Sequence, residues 1–184
     1  MLDRGVLINS TNVLLQTHGE QLRELLGRTI TNTWVPWETK SDEWFADEAV
    51  ILGIEDSKLE PVFMYLDSLA LTWNQIDLSS SPKWVSDWGN SFNLRWSSSS
   101  HTDLKKAIGK TIRRISVIEY FNELTMVEDR RRPENVGQKL ANWFLHGLEF
   151  DFDDACLVIY NDLDKAVISS EPFLSSKFRK VEVN

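Results

Sequence analysis

The sequence is poor in the residues that usually announce chemistry. A single cysteine, Cys156, excludes an internal disulfide. The apolar run Leu157, Val158, Ile159 behind it predicts a small buried side chain, and a buried thiol is a weak nucleophile. A reducing compartment suits such usage, with cytosol as the default expectation. There are three histidines, His18, His101 and His146, and no two have a metal-ligand spacing. His18 and His101 are expected in turns just ahead of helices, and His146, beside Gly147, at a strand end. Eight glycines form no Gly-x-Gly-x-x-Gly, P-loop or Gly-x-Ser-x-Gly pattern, so neither a phosphate cradle nor a nucleophile elbow is expected. No stretch approaches the roughly 18 apolar residues that span a bilayer, and Met1, Leu2, Asp3, Arg4 does not open a signal peptide. No catalytic residue, metal or cofactor is expected.

Basic charge is also scarce: 20 Lys and Arg stand against 28 Asp and Glu, a net charge of −8. Residues 1–91 carry 14 acids and 6 bases, while residues 92–184 carry 14 of each. The whole excess therefore belongs to the first half. Its centre is the stretch from Glu38 to Glu60, where Glu38, Asp42, Glu43, Asp47, Glu48, Glu55, Asp56 and Glu60 face only Lys40 and Lys58. Such a field repels phosphate backbones and draws basic partners, so nucleic acid and membrane surfaces are disfavoured as ligands.

What the chain has is enough apolar material for a core, with 42% hydrophobic residues and eight Trp in 184 residues. A single globular domain over residues 1–184 is expected, and disorder of the whole is excluded. Within it the sequence repeats itself. Leu22 to Ile30 aligns with Leu104 to Ile112, and Leu22, Gly27, Thr29 and Ile30 recur as Leu104, Gly109, Thr111 and Ile112. Each segment reads as a helix end, a glycine stop and a strand start, because glycine accepts the left-handed conformation that closes a helix. The elements that follow match as well. Ala49 to Ile54, the acidic corner Glu55 and Asp56, and Leu66 to Leu71 correspond to Leu148 to Phe152, the corner Asp153 and Asp154, and Leu163 to Ile168.

The predicted fold is thus α+β and mainly antiparallel, two diverged helix-strand-meander units at about residues 10–78 and 92–172. Thr17 and Thr102 are the expected helix N-caps. Strands are expected at 29–35, 49–54, 62–66, 92–96, 112–121, 123–127, 148–152 and 156–160. Ser79 to Ser91 and Ser97 to Ser100 read as loops, and 129–142, opening on Arg130, Arg131, Arg132 and Pro133, as an insertion in the second unit.

Two constellations carry possible function. Alternation in Leu148 to Asp154 places Glu149, Asp151 and Asp153 on one strand face, where three carboxylates could hold a divalent cation. The simpler reading is a wet strand face with Leu148, Phe150 and Phe152 turned inward. The second constellation sets Trp34, Trp37, Trp44 and Phe45 among the acids of the first half. Large rings ringed by carboxylates suit an interface to a basic protein, the rings as desolvated anchors and the charges as guides. Trp37, Asp42, Glu43, Trp44, Asp47 and Glu48 are the candidate partner-binding residues, unless the rings are core and the acids their solvated neighbours.

With its paired segments, its acidic corners and its acidic aromatic stretch, the chain resembles the immunity proteins of bacterial polymorphic toxin and contact-dependent growth inhibition systems. That resemblance implies a cytoplasmic protein which binds a cognate toxin domain, often a basic nuclease, and blocks it. It transfers no individual residue. The alternatives are a regulatory or scaffold module, homodimeric through exposed sheet edges, and a metal-dependent enzyme using Asp151, Asp153 and Asp154.

Overall fold

The computed structural model of the chain describes residues 8, 10–64, 68–82, 91–98, 100–125, 139–162, 165–172 and 176–184. The first helix, α1 (Thr11–Arg23), begins where the Ser10 hydroxyl accepts the Val13 backbone N–H. Leu14 and Leu22, two turns apart on one face, are fully buried. Thr17, expected as the cap, lies inside the helix and donates its hydroxyl to the Val13 carbonyl at 2.8 Å. His18 is therefore helical too, since the helix starts seven residues, about two turns, earlier than a cap at Thr17 implies. The second helix, α2 (Thr102–Ala107), is shorter, with His101 and not Thr102 at its N-cap and no side-chain capping bond.

Among the described residues eleven strands make two antiparallel sheets. The first joins β1 (Ile30–Glu38), β2 (Glu43–Trp44), β3 (Ile51–Ile54), β4 (Ser57–Met64) and β5 (Ser68–Trp73) in the order β2-β1-β3-β4-β5, with β6 (Leu94–Ser98) also on β1. The second joins β7 (Arg114–Thr125), β8 (Lys139–Asp151), β9 (Cys156–Asp162), β10 (Lys165–Ser169) and β11 (Phe178–Glu182) in the order β10-β9-β8-β7-β11. Mainly antiparallel sheet with helices, two of them among the described residues, is the α+β class expected. Strand ends differ from the sequence reading. β7 runs unbroken through the predicted break at residue 122, and β8 begins inside the predicted insertion, of which residues 129–138 lie outside the described residues.

In both sheets the chain makes a meander, crosses from one edge to the other, and lays its last strand against the first. β6 pairs with residues 34–38 of β1, and β11 with residues 116–120 of β7. The offset that carries Thr29 onto Thr111 carries Trp34 onto Ser116 and Glu38 onto Tyr120, so both pairings occupy the same register. The two matched segments also bond to each other reciprocally. Gly27 N–H donates to the Ile112 carbonyl and Gly109 N–H to the Ile30 carbonyl, each at 2.8 Å. Ile30 N–H donates to Lys110 and Ile112 N–H to Arg28, at 3.0 and 2.9 Å. Gly27 and Gly109 have φ of 82° and 81°, the left-handed conformation expected of both.

One contiguous core fills the space between the sheets, with Leu14, Leu22, Val35, Leu52 and Leu59 from the first half meeting Leu104, Ile115, Leu148, Phe150 and Leu157 from the second. The outer face of each sheet has a smaller cluster. On the first, Ile76 and Leu78 of the crossover cover Ile51 and Ala70 beside Trp34 and Trp96. On the second, Ile118, Cys156 and Val158 pack with Tyr160 and Phe178. Six of the eight Trp thus have assigned surroundings, Trp37, Trp44 and Trp73 against the main core and Trp143 beside Phe121; Trp84 and Trp88 lie outside the described residues.

Candidate functional site

The acidic stretch does not fold into one patch. Glu38 and Glu43 are register partners at one end of β1, while Ile30, at the other end, pairs with Ile54 just before the Glu55–Asp56 turn. Eight residue steps at strand rise separate the two ends by about 26 Å. Asp42 and Glu43 belong to the hairpin between β1 and β2; Glu55 and Asp56 belong to the opposite end, where a Glu55 oxygen accepts the Thr29 N–H at 3.3 Å.

Burial divides the acids again. Glu60 is fully buried and accepts from the Thr72 hydroxyl (2.7 Å), the Ile76 N–H (2.9 Å) and the Gln75 N–H (3.2 Å), which ties the crossover onto its sheet. Glu48, proposed from sequence as a partner contact, is buried too, with an oxygen 3.3 Å from the Ala49 N–H. Glu38 accepts from the Ser41 hydroxyl and backbone N–H, and those bonds hold its carboxyl below the usual carboxylate range. Asp42, Glu43, Asp47, Glu55 and Asp56 are exposed.

The rings are half-buried. Trp37 and Trp44 are register partners on β1 and β2 and pack against the main core. The Trp37 indole donates to Asp42 at 2.9 Å, which places one predicted anchor directly on one predicted charge. Trp44 stands edge-on to His101 with ring centroids 4.9 Å apart. The Trp44 Nε1 and the His101 Nδ1 are buried without a hydrogen-bond partner, and burial lowers the His101 pKa. Trp37, Asp42, Glu43 and Trp44 therefore come together on one hairpin, Asp47 follows on the strand connection, and Glu48 turns inward.

The second half treats its acids differently. Arg113 forks onto Asp153 with two bonds of 2.9 Å, Lys110 meets Asp154 at 2.7 Å, and Arg114 meets Asp151 at 2.8 Å. Arg113 holds Asp153 below the ordinary carboxylate range. Glu149 is fully buried, not wet as its alternation suggested, and bonds Lys180 of β11. Burial raises its pKa, and its second oxygen has no partner. Asp153 lies in the turn beyond the strand, so the three carboxylates expected on one face are split and each is matched by a base. Among the described residues no group of three or more His, Cys, Asp or Glu is placed to hold a metal ion.

Cys156 is 8% exposed, its thiol 3.5 Å from the Ser170 carbonyl, and burial raises its pKa. His146, predicted at a strand end, sits inside β8 at a bulge, between the Tyr160, Phe178 and Tyr120 rings. The bases that neutralise the second half were invisible in the sequence, because Arg113 and Asp153 are far apart in the chain and only the register joins them. No helix among the described residues is long and apolar enough to cross a membrane. The chain matches no known protein family, no characterised protein and no solved structure among those compared with it.

Proposed function

We propose that the chain is a non-catalytic binding protein that neutralises a basic partner, an immunity protein acting on a cognate toxin domain in the cytoplasm. One observation carries the reading. Asp42, Glu43, Glu55 and Asp56 are exposed and meet no basic side chain among the described residues, whereas the acids at the equivalent corner of the second half are each paired. The hairpin end is the favoured surface, because there the uncompensated charge lies beside the half-buried Trp37 ring, a desolvated anchor next to a steering field. Asp42, Glu43 and Asp47 guide the partner, and Trp37 seats it.

The scaffold behind this surface reads as a duplication. The reciprocal bonds across Thr29 and Thr111, the common strand order and the common register of β6 and β11 support two diverged copies, with the units redrawn at about 10–98 and 101–183. β6 then closes the first unit, as β11 closes the second. Both copies are elaborated at the same connection, between the first strand and the second: the acidic hairpin in one, a long ribbon in the other.

Co-expression tests the function. A toxin domain encoded beside this gene is expressed with the wild-type chain or with Asp42→Lys, Glu43→Lys, Asp47→Lys protein. Protection by the wild type and its loss in the folded triple variant are expected, with an association rate that falls as salt rises. Equal protection by the triple variant removes the hairpin surface. Absence of any toxin partner removes the immunity reading.

A further inference from the structure

At the end of the first sheet remote from the acidic hairpin, a cleft of about 170 Å³ opens between the C-terminal end of α1, the β3–β4 turn and the end of β5. Its apolar walls are the buried Leu25 and the half-buried Trp73 ring, which packs against the main core. The His18 Nδ1 lies 3.4 Å from the Trp73 Nε1 and 2.9 Å from the Gln21 Oε1, so the ring and the amide beside it share one anchor. Two opposite charges, Glu24 and Arg28, and two neutral polar groups, the Ser57 hydroxyl and the Asn74 amide, complete the lining. The Asn74 Oδ1 accepts the Lys58 N–H at 2.8 Å, which leaves the amide nitrogen as a donor at the cleft.

Glu24 and Arg28 do not neutralise each other. Neither side chain makes an ion pair or hydrogen bond among the described residues, although the Arg28 side chain belongs to a half-buried residue. The second unit shows the same helix end with its charges closed. The offset that carries Thr29 onto Thr111 carries Arg28 onto Lys110, Glu24 onto Lys106 and Gln21 onto Asp103. Lys110 bonds Asp154 at 2.7 Å, and Lys106 bonds Asp103 at 2.8 Å. The first unit instead holds one charge of each sign, unpaired, beside a Trp wall. Withdrawing a guanidinium from water without a partner is costly, and a carboxylate that takes it through two parallel bonds offsets that cost.

We propose that this cleft binds a small zwitterion, an α-amino acid with an apolar side chain. Arg28, the Asn74 amide and the Ser57 hydroxyl donate to its carboxylate, Glu24 accepts from its ammonium group, and its side chain lies on Trp73 and Leu25. The volume is below the roughly 300–1,000 Å³ of sites for drug-sized ligands, so a nucleotide is too large. A lone cation, such as a basic side chain of a protein partner, would meet Glu24 but be repelled by Arg28, and a lone anion would meet the reverse. No residue of the acidic hairpin lines the cleft, so the site is separate from the surface assigned to the basic partner.

Calorimetric titration of the full chain with L-leucine, L-methionine and L-phenylalanine tests this. At least one should half-saturate the protein at about 1 mM or below. The amide of the tightest binder lacks the carboxylate and its N-acetyl form lacks the ammonium group, and each should bind at least about tenfold more weakly, the loss of one charge-assisted contact. Arg28→Gln should erase the preference for the amino acid over its amide, and Glu24→Gln the preference over its N-acetyl form. Both variants should unfold as the wild type does, because neither side chain bonds within the fold. Absence of binding by all three amino acids up to about 10 mM, well above the expected range, overturns the inference. Binding that both substitutions leave unchanged overturns it as well, by placing the ligand elsewhere. Agmatine, a guanidinium without a carboxylate, should bind at least as weakly as the amide; if it binds as tightly as the amino acid, the cleft is a seat for a basic side chain and not for a zwitterion.

Discussion

Thr29 and Thr111 face each other across an isolated antiparallel bridge, their hydroxyl oxygens 3.4 Å apart, and the backbone bonds on either side of them are reciprocal. The left-handed glycines Gly27 and Gly109 flank this point, and a Cβ at either would meet nothing within 4 Å. Sterics is therefore absent and only backbone strain remains. Gly27→Ala and Gly109→Ala should each cost about 1 kcal/mol in urea unfolding, and nearly the same amount as each other. A large difference between them would mean that the two helix ends are not held alike.

Glycines chosen for close approach behave differently. A Cβ on Gly147 would sit 2.5 Å from the Ile159 carbonyl and 2.6 Å from the Tyr160 Cβ, both of which belong to the rigid neighbouring strand. On Gly53 it would meet the Trp34 ring at 2.9 Å, and that ring is half-buried at the sheet surface. Gly147→Ala should cost about 3 kcal/mol and Gly53→Ala about 1. Thermal unfolding of the two variants gives the order, and a milder effect at Gly147 would put the bulge elsewhere.

These contrasts explain what the sequence could and could not reveal. The nonapeptide match, the two left-handed glycines and the inward Leu148, Phe150 and Phe152 were legible because they are local: each follows from a few adjacent residues and one backbone rule. Glu149 was misread as wet because alternation reports which face a side chain takes, not what covers that face. The same limit applies to the acidic stretch, which is contiguous in sequence yet divided between opposite ends of β1 by the register with β3. Of the six candidate contacts, Glu48 turned inward for a reason that only long-range packing supplies.

Lys180 and Glu149 offer a pH test. Replacing Lys180 by Met leaves Glu149 buried without its cation, which should cost about 3 kcal/mol at neutral pH. Burial holds the folded Glu149 pKa above its unfolded value, so the protonated form is favoured in the fold. The stability it contributes is full below the unfolded pKa and is lost as pH rises through the folded one. The deficit of Lys180→Met should therefore shrink in acid, where Glu149 carries a proton. A deficit that is constant between neutral and acid pH would show that the lost alkyl packing of Lys180, and not the stranded charge, is responsible.

His146 runs in the opposite sense. Burial among the Tyr120, Tyr160 and Phe178 rings depresses its pKa to about 4, with Asp162 opposing the shift. An unfolded histidine takes its proton near 6.5, so between that value and about 4 the unfolded chain binds more protons than the folded one. Stability should fall as pH drops through this window, by up to about 3 kcal/mol at 1.4 kcal/mol per pH unit. His146→Phe should flatten the slope there whatever it does to the absolute stability. An unchanged slope would mean that the imidazole is protonated in the folded state.

Glu43 and Glu60 separate the acids that could meet a partner from those that build the fold. Glu60 accepts three hydrogen bonds in a fully buried position, two of them from the crossover backbone, so Glu60→Ala strands buried donors and should cost about 3 kcal/mol or more. Glu43 is exposed and makes no hydrogen bond or ion pair among the described residues. Glu43→Lys should leave unfolding within about 0.5 kcal/mol of wild type, as surface substitutions usually do. Applied along the stretch from Glu38 to Glu60, the same measurement should group Glu38, Glu48 and Glu60 as costly and Glu43 and Asp56 as nearly neutral, with Asp42 and Glu55 between them because each accepts one hydrogen bond. Only variants that stay folded can report on recognition, because a costly variant weakens binding by unfolding the protein. If Glu43→Lys proved as destabilising as Glu60→Ala, the hairpin would be a structural element, and its charge would have no steering role left to assign.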